Sequence, residues 1–183
     1  MTTRIDPKLA CSIIDNPTFV AHRTTGVDVH YIYAADTARL IRSALKLAFP
    51  GFPFTVRSQS YSGGSSVHVA WIDGPSKDRV DDALSGFAGK GFDGCIDLEY
   101  SSDCYITRAG TVGFARTGGT EGSHGSVPSI DAAVPPGATI VSFSSYISTQ
   151  RDYSGQQPPF DQYWAWRALA ASDLPAHAPH PRR

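Results

Sequence analysis

Three carboxylates could do chemistry in this chain, but their local sequence favours structural roles. Asp73, Asp93 and Asp97 could together hold a divalent cation or carry out acid–base chemistry, since hard cations take oxygen ligands and neighbouring carboxylates separate their pKa values. Asp73 and Asp93 each precede a glycine, however, and the Asp-Gly pair is typical of tight turns. We therefore expect turns at both positions and predict no metal site.

A histidine offers the second candidate chemistry. His68, with Tyr61 and Arg57 in the same expected hairpin, could form a general-base site. A histidine on the polar face of a sheet is more often simply solvated, and the sequence provides no nucleophile to partner this one. We interpret the three residues as part of a binding surface.

Two glycine-containing strings resemble functional motifs in the wrong context. Residues 89–94 (GKGFDG) spell G-x-G-x-x-G, which binds dinucleotides when a strand enters it and a helix leaves it. Here a helix is expected before the string and a strand after it, so we predict a helix-terminating turn. Residues 121–125 (EGSHG) lack the first glycine of a nucleophile elbow. The sequence thus predicts no cofactor and no enzyme; an uncharacterised enzyme whose glycine-rich loop closes over Asp73, Asp93 or His68 is the third alternative.

Charge is distributed unevenly along the chain. Between residues 37 and 72 there are four basic residues and no acidic one, whereas residues 73–103 hold eight acidic residues against three basic ones. The basic residues and the polar side of the expected hairpin form the candidate binding patch: Arg39, Arg42, Lys46, Arg57, Gln59, Tyr61 and His68. This patch could meet a phosphate backbone or the acidic face of a protein, and its alternative is a set of solvated helix flanks.

A secondary, acidic patch suggests the opposite charge relation. Carboxylates placed where a nucleic acid would otherwise bind could block a basic groove of a partner. Its members are Asp78, Asp81, Asp82, Asp93, Asp97, Glu99 and Asp103.

Composition excludes several classes of protein. With 183 residues, 41 % hydrophobic and 18 % charged, the chain is long and apolar enough to fold, and its net charge of −1 excludes an indiscriminate cationic nucleic-acid binder. Three cysteines, Cys11, Cys95 and Cys104, cannot all pair within the chain and suit a reducing compartment. The sequence has no long apolar run and no leader pattern. We predict a cytoplasmic protein in a bacterial host cell, without membrane contact.

Hydrophobic periodicity predicts the elements that must position these residues. Alternation over residues 27–33 predicts a strand, and apolar residues at helical spacing over residues 37–48 predict a helix with Asp36 as its N-cap and a stop at Pro50-Gly51. Residues 54–72 predict a hairpin. With Gly63-Gly64 as a primed two-residue loop, Val56 would lie opposite Trp71, Ser58 opposite Val69 and Ser60 opposite Val67.

The second half of the pattern repeats this order. A helix capped by Ser76 should place Val80, Ala83, Leu84 and Phe87 on its apolar face, and residues 95–100 alternate as a strand. Residues 139–149 are again β-rich, and residues 160–169 suggest a short aromatic helix. The order predicts an α+β fold in which an antiparallel sheet carries two main helices on one face, in a split β-α-β-β-α-β arrangement.

The same pattern of elements predicts the domain organisation. We expect an irregular N-terminal arm over residues 1–27, a single α+β domain over residues 28–171, and a flexible proline-rich tail over residues 172–183. Within the domain, residues 110–138 form a long Gly-, Ser- and Pro-rich loop that is either a working loop or disordered.

Four short motifs stand in a characteristic order. They are residues 54–58 (FTVRS), 62–66 (SGGSS), 71–75 (WIDGP) and 92–94 (FDG). In this order they resemble the large polyvalent protein associated domain 29 family, whose modules occur in proteins of phages and conjugative elements. The likeness covers about residues 36–100, with a weaker echo at residues 139–149 (TIVSFSSYIST).

The resemblance implies a mobile-element origin but supplies no reaction, cofactor or catalytic residue. It supports an accessory protein that acts by binding. Such a protein would inhibit a host defence complex of the CRISPR or restriction type by blocking a nucleic-acid or partner site. The partner would then be a host defence protein or nucleoprotein. The alternative is a DNA- or RNA-binding accessory module that uses the basic helix and hairpin.

Overall fold

The computed structural model describes residues 2–23, 26–143 and 145–154. Its helices are α1 (Pro7–Asp15), α2 (Ala34–Ala48) and α3 (Lys77–Leu84). Its strands are β1 (Thr2–Arg4), β2 (Phe19–His22), β3 (Asp28–Ile32), β4 (Thr55–Tyr61), β5 (Gly64–Ile72), β6 (Lys90–Asp93), β7 (Leu98–Ile106), β8 (Thr111–Thr117), β9 (Ile130–Asp131), β10 (Thr139–Phe143) and β11 (Ser145–Asp152). No helix within these described ranges is long and apolar enough to cross a membrane.

The strands form two sheets. The large, eight-stranded sheet has the order β1-β8-β7-β10-β3-β2, with β6 beside β7 and β9 beside β8. The small sheet has the order β11-β5-β4. The chain passes from one sheet to the other between β10, which lies parallel to β3, and β11, which lies parallel to β5.

The α+β class is therefore confirmed, but the expected single sheet divides into two. The neighbour of β3 is β10, from the C-terminal part of the chain, and the hairpin β4–β5 pairs with β11 instead. These pairings join residues eighty or more positions apart, and the order of elements along the chain does not specify them.

The first 27 residues are not an irregular arm, because they contain β1, α1 and β2. Asp6 occupies the N-cap of α1 and accepts a hydrogen bond from the Lys8 amide at 2.8 Å, and Pro7 takes the first helical position. Ala10 and Ile13 then bury one face of this short helix. The signal was present in the Asp-Pro pair, but a nine-residue helix gives too little periodicity to recognise.

Helix α2 buries the expected face but begins earlier than predicted. Leu40, Ile41 and Leu45 are buried, as the spacing indicated. The N-cap is Tyr33, without a side-chain cap, and Asp36 lies inside the first turn, where it accepts a hydrogen bond from Arg39 at 2.8 Å. A carboxylate in the first turn favours the helix through its dipole rather than by capping.

The hairpin turn is Ser62-Gly63, with Tyr61 opposite Gly64, so the predicted register is wrong by two residues. Val56 lies opposite Val69, and Ser58 lies opposite Val67. Within the turn only Gly63, the second turn residue, has a positive φ, of 93°. A primed turn needs a positive φ at its first central residue, so this turn is not of the predicted primed type. A slip of two residues leaves every side chain on its face, and the predicted division of faces is correct.

Helix α3, the second of the two predicted helices, begins as expected after Ser76, and a 3₁₀ turn at Ser85–Phe87 continues it. Val80, Leu84 and Phe87 are buried, and Ala83 packs partly against the core.

Beyond this helix the strand prediction is shifted. Lys90–Asp93 is a strand, not a turn, and residues 94–97 form the turn before β7. Asp97, with a φ of 55°, belongs to this turn.

The glycine-rich segment begins with strand β8 and continues through a 3₁₀ turn at Glu121–Ser123 and strand β9. Two β-rich segments near the C-terminus, β10 and β11, agree with the prediction for residues 139–149. The expected aromatic helix at 160–169 and the tail at 172–183 lie outside the described residues.

One apolar cluster joins the helices to both sheets. Leu45 of α2, Val69 of β5, Ile106 of β7 and Phe143 of β10 are members of this cluster. Trp71 is a further buried member, and its indole nitrogen donates to the Pro75 carbonyl oxygen at 3.0 Å. This shared core holds the small sheet against the rest of the molecule and leaves one of its faces to solvent.

Candidate binding surface

The small sheet has one buried face and one polar face. Along β5, buried and partly exposed residues alternate, because successive side chains point to opposite sides of a strand. Val56, Val67, Val69 and Trp71 face the core. The opposite side, called here the outer face, carries Thr55, Arg57, Gln59, Tyr61, Ser66, His68, Ser148 and Gln150.

Cross-strand pairing sets the geometry of the outer face. His68 lies opposite Arg57 of β4 and opposite Ser148 of β11, and its Nδ1 lies 2.9 Å from the Ser148 hydroxyl oxygen. A depression of about 310 Å³ lies on this face beside Arg57, His68 and Gln150. The Tyr61 side chain is 49 % exposed at the turn end. Asp152 lines the same depression and accepts a hydrogen bond from the Gln150 amide at 2.9 Å. The face therefore combines a cation, a carboxylate, amide and hydroxyl groups and an accessible ring.

The structure brings together only part of the predicted basic patch. Arg57, Gln59, Tyr61 and His68 share the outer face, as the pattern indicated. Arg39, Arg42 and Lys46, called here the basic stripe, lie on α2, which packs on the other side of the small sheet. Arg42 reaches the rim of β4 and donates to the Val56 carbonyl oxygen at 2.6 Å. The two groups are thus two surfaces that meet along β4.

The residues that sequence reasoning missed are those contributed by β11. Ser148 and Gln150 complete the outer face. The sequence placed Ser148 in a β-rich segment without a predicted partner strand, and Gln150 lies just beyond that segment. The sequence pattern indicated their alternation with Ile147 and Thr149, which are partly buried. It did not indicate the parallel pairing with β5, because pairing between distant strands leaves no local pattern.

The acidic patch is dispersed. Asp93 and Asp103 are only 3 % and 5 % exposed and face the interior. Asp81 lies 2.5 Å from Lys77 Nζ and accepts a hydrogen bond from Thr149, and Glu99 lies 2.6 Å from Lys90 Nζ. Only Asp78, Asp82 and Asp97 are exposed with no ion pair among the described residues. A surface of carboxylates for mimicry of nucleic acid is therefore not assembled here.

Asp93 instead anchors the glycine-rich loop. Its carboxylate accepts hydrogen bonds from the Thr120 hydroxyl at 2.5 Å, from the Ser126 amide at 2.7 Å and from the Ser126 hydroxyl at 3.0 Å. The Cys95 amide adds a fourth at 3.0 Å. These hydrogen bonds, of which that from Thr120 has the largest effect, hold the pKa of Asp93 far below its usual value. Asp93 therefore stays ionised and ties the loop to the turn after β6.

Replacing Asp93 by asparagine is expected to loosen this loop and to flatten its acid response. The folded-state pKa lies below the unfolded value of 3.8, so the stabilisation is fully present above the unfolded value and is lost progressively as the pH falls from there towards the folded-state pKa. From about pH 4 downwards the wild-type melting temperature should therefore fall more steeply than that of D93N. At pH 7 the Ser126 amide of the variant should exchange about tenfold faster.

Thermal melts at several pH values and amide hydrogen exchange measure both effects. Asp97→Asn is the matched control, since Asp97 is an exposed turn residue. Equal acid slopes for wild type and D93N would remove Asp93 from its anchoring role.

A second tyrosine at the border of the outer face is already engaged. Tyr146 of β11 lies opposite Ser66 of β5 and donates its hydroxyl hydrogen to Glu99. Lys90 Nζ lies 5.1 Å from the centre of the Tyr146 ring. Glu99 raises the pKa of Tyr146 to about 12, while Lys90 and then Tyr146 lower the pKa of Glu99. Tyr146 thus remains a neutral donor bound to Glu99, and Tyr61 is the more accessible ring.

The candidate catalytic residues do not converge. His68 contacts Ser148, Asp73 accepts hydrogen bonds from Ser154, and Asp93 holds the glycine-rich loop. All three cysteines are free thiols. Among the described residues, no group of three or more His, Cys, Asp and Glu side chains could hold a metal ion.

Comparison with known families agrees with the motif order in the sequence. The family described as large polyvalent protein associated domain 29 matches residues 32–154, more than half of the chain. The chain belongs to this family. The match runs from the end of β3 to the residues just after β11, so the polyvalent protein associated domain includes the whole small sheet with its outer face. No curated protein and no solved structure matches significantly.

Membership in the polyvalent protein associated domain 29 family associates the protein with phages and mobile genetic elements. It confirms the resemblance drawn from the four motifs, and the matched range includes the weaker echo at residues 139–149.

Proposed function

We propose that this polyvalent protein associated domain acts by binding, and that it inhibits a host defence complex by occupying a site that nucleic acid or a protein partner would otherwise use. The observation that supports the proposal is the outer face. Three strands there present Arg57, Tyr61, His68 and Gln150 to solvent, while the other side of the same sheet is part of the core.

The chemistry of this face suits recognition. Arginine and tyrosine are the side chains most often found at the energetic centre of interfaces, because each combines a large contact area with hydrogen bonding. The ladder fixes the spacing of these side chains before binding, which lowers the entropy cost of association. The described catalytic candidates have separate partners, which supports a binding role over an enzymatic one.

Reversing the charge of Arg57 is expected to abolish inhibition. Cells that carry a defined CRISPR or restriction system should admit phage more efficiently when the protein is expressed, as counted by efficiency of plating. Arg57→Glu should weaken partner binding about thirtyfold, because the loss of a central arginine costs at least about 2 kcal/mol. Plating should then return to the level of cells without the protein.

Lys8→Glu is the matched control, since it makes the same charge change at an exposed position of α1, outside the matched family region. Circular dichroism confirms folding of each variant. If Arg57→Glu inhibits as well as wild type, the outer face is not the inhibitory surface. If the wild-type protein leaves plating unchanged against each defined system, the inhibitor proposal is rejected.

Nucleic-acid binding is the second candidate, favoured by the exposed Tyr61 ring, which lies on the same sheet face as Arg57. Bases stack on such rings, and phosphate contacts make binding steeply dependent on salt. Fluorescence polarisation of labelled single- and double-stranded DNA and RNA across a salt series separates the two. Binding with a steep slope favours the nucleic-acid module, and its absence together with restored plating favours the inhibitor.

A further inference from the structure

Strand β4 is an open edge of the small sheet. In the order β11-β5-β4, it has a neighbour on one side only among the described residues. The pair that closes the hairpin is Tyr61–Gly64, and in an antiparallel pair the hydrogen-bonded positions alternate with those whose backbone groups point away. The amide and carbonyl groups of Val56, Ser58 and Ser60 therefore point outward from the sheet.

Two of these three residues offer unused backbone groups. The Val56 carbonyl oxygen accepts from Arg42 at 2.6 Å, which confirms the outward direction. Ser58 and Ser60 are exposed, and their outward amide and carbonyl groups have no partner within the described part of the chain. Four adjacent hydrogen-bonding groups thus lie along one exposed line.

Within the described part of the chain, β4 lacks the usual protection of an edge strand. Proteins block edges with proline, bulges, covering segments or charges that point along the edge. The segment TVRSQSY contains no proline, and its register with β5 is continuous from Thr55 to Tyr61. Its one charge, Arg57, lies on the outer face. A seven-residue strand of this kind is a template for another strand.

The charge beside the edge selects the partner. The members of the basic stripe follow one another at spacings of three and four residues, so they share one side of α2. The Arg42 contact with Val56 places that side next to the β4 edge. Asp36 offsets Arg39 at 2.8 Å, whereas Lys46 is exposed. No acidic residue lies between residues 37 and 72 to offset the rest.

We propose that the β4 edge binds an extended acidic segment of a partner protein, which adds as a strand and pairs with the backbone of Ser58 and Ser60. Its carboxylates lie beside the basic stripe. A second copy of this chain is a poorer occupant, since it would bring an identical basic stripe to the contact. The edge is distinct from the outer face, and this proposal does not depend on inhibition of a defence complex.

The probe is a fluorescein-labelled octapeptide of alternating glutamate and valine, titrated with the full chain by fluorescence polarisation. We expect saturable binding, and none for the peptide in which lysine replaces glutamate. Ser58→Pro removes one outward amide hydrogen and should weaken binding about tenfold. Proline is tolerated there because the Ser58 amide is not used by β5. Lys46→Glu should weaken binding at low salt and have little effect at high salt.

Ser58→Ala is the matched control, because it keeps the backbone amide and should bind as wild type does. If Ser58→Pro fails to fold by circular dichroism, peptides N-methylated at the alternate residues that face β4 provide the same test on the wild-type chain. Equal affinity for the glutamate and lysine peptides, unchanged binding by Ser58→Pro, or no saturable binding overturns the proposal. A dimer in sedimentation velocity that Ser58→Pro dissolves also overturns it, in favour of a second copy.

Discussion

Replacing Phe143 by alanine is expected to lower the free energy of unfolding by about 4 kcal/mol, because the deletion of a buried aromatic ring leaves a cavity. Phe143 is fully buried, and its ring meets that of Phe87 edge-on with centroids 5.2 Å apart. Gly89 lies so close that an added Cβ would stand 2.8 Å from the Phe143 Cβ. The site therefore cannot collapse easily around a smaller residue.

This position also connects the two sheets. Phe143 pairs with Ile32 in the large sheet, and β11 of the small sheet begins two residues later. Destabilisation at Phe143 should thus loosen the third strand of the outer face as well. Urea denaturation followed by tryptophan fluorescence measures the loss.

Phe143→Leu is the control for cavity size at this site, since leucine leaves a smaller cavity than alanine and should therefore cost less. A loss below about 1 kcal/mol for Phe143→Ala would show that the ring is not a central contact.

Replacing Asp103 by alanine is expected to cost about 3 kcal/mol, because it leaves two arginines without the carboxylate that pairs with them. Asp103 is 5 % exposed and lies 2.9 Å from Arg23 Nη2 and 2.8 Å from Arg116 Nε. The Nη2 atom of Arg116 is buried and has no hydrogen-bond partner among the described residues. Loss of Asp103 would therefore leave this guanidinium without its compensating charge.

The melting temperature of the Asp103→Ala protein should fall by roughly 6 to 12 °C, given the usual 2 to 4 °C per kcal/mol for a chain of this size. Asp82→Ala, at an exposed position of α3, should change the free energy of unfolding by less than about 0.5 kcal/mol. Differential scanning calorimetry compares the two. Similar melting temperatures for both variants would mean that the pair contributes only as an exposed ion pair does.

The local pattern of this sequence specified most of its elements. The apolar stripe of α2, the alternation of β5 and the Ser-Gly-Gly region of the hairpin act over a few residues, so their effects are readable along the chain. The division of the hairpin into a core face and an outer face was predicted for the same reason, and it survived a register error of two residues. Four of the seven predicted patch residues therefore share one surface.

Short or unusual local features were harder to interpret. The helix α1 has nine residues, and β6 lies within a string rich in glycine, which disfavours strands in general. Asp93 looked like a turn residue because it precedes glycine. Its role in holding the loop depends on Thr120 and Ser126, which are distant in sequence and approach only in the folded chain.

By itself, the sequence determined the class of fold, the family, the faces of the hairpin and the charge of α2, since each of these follows from residue types at short spacing. Only the tertiary structure decided that the strands form two sheets, that β11 completes the outer face, that the basic stripe lies beside an open edge, and that Asp93 and Asp103 are buried. These features depend on which distant segments pair. Pairing is chosen by the packing of the whole core, and single residues carry no local record of it.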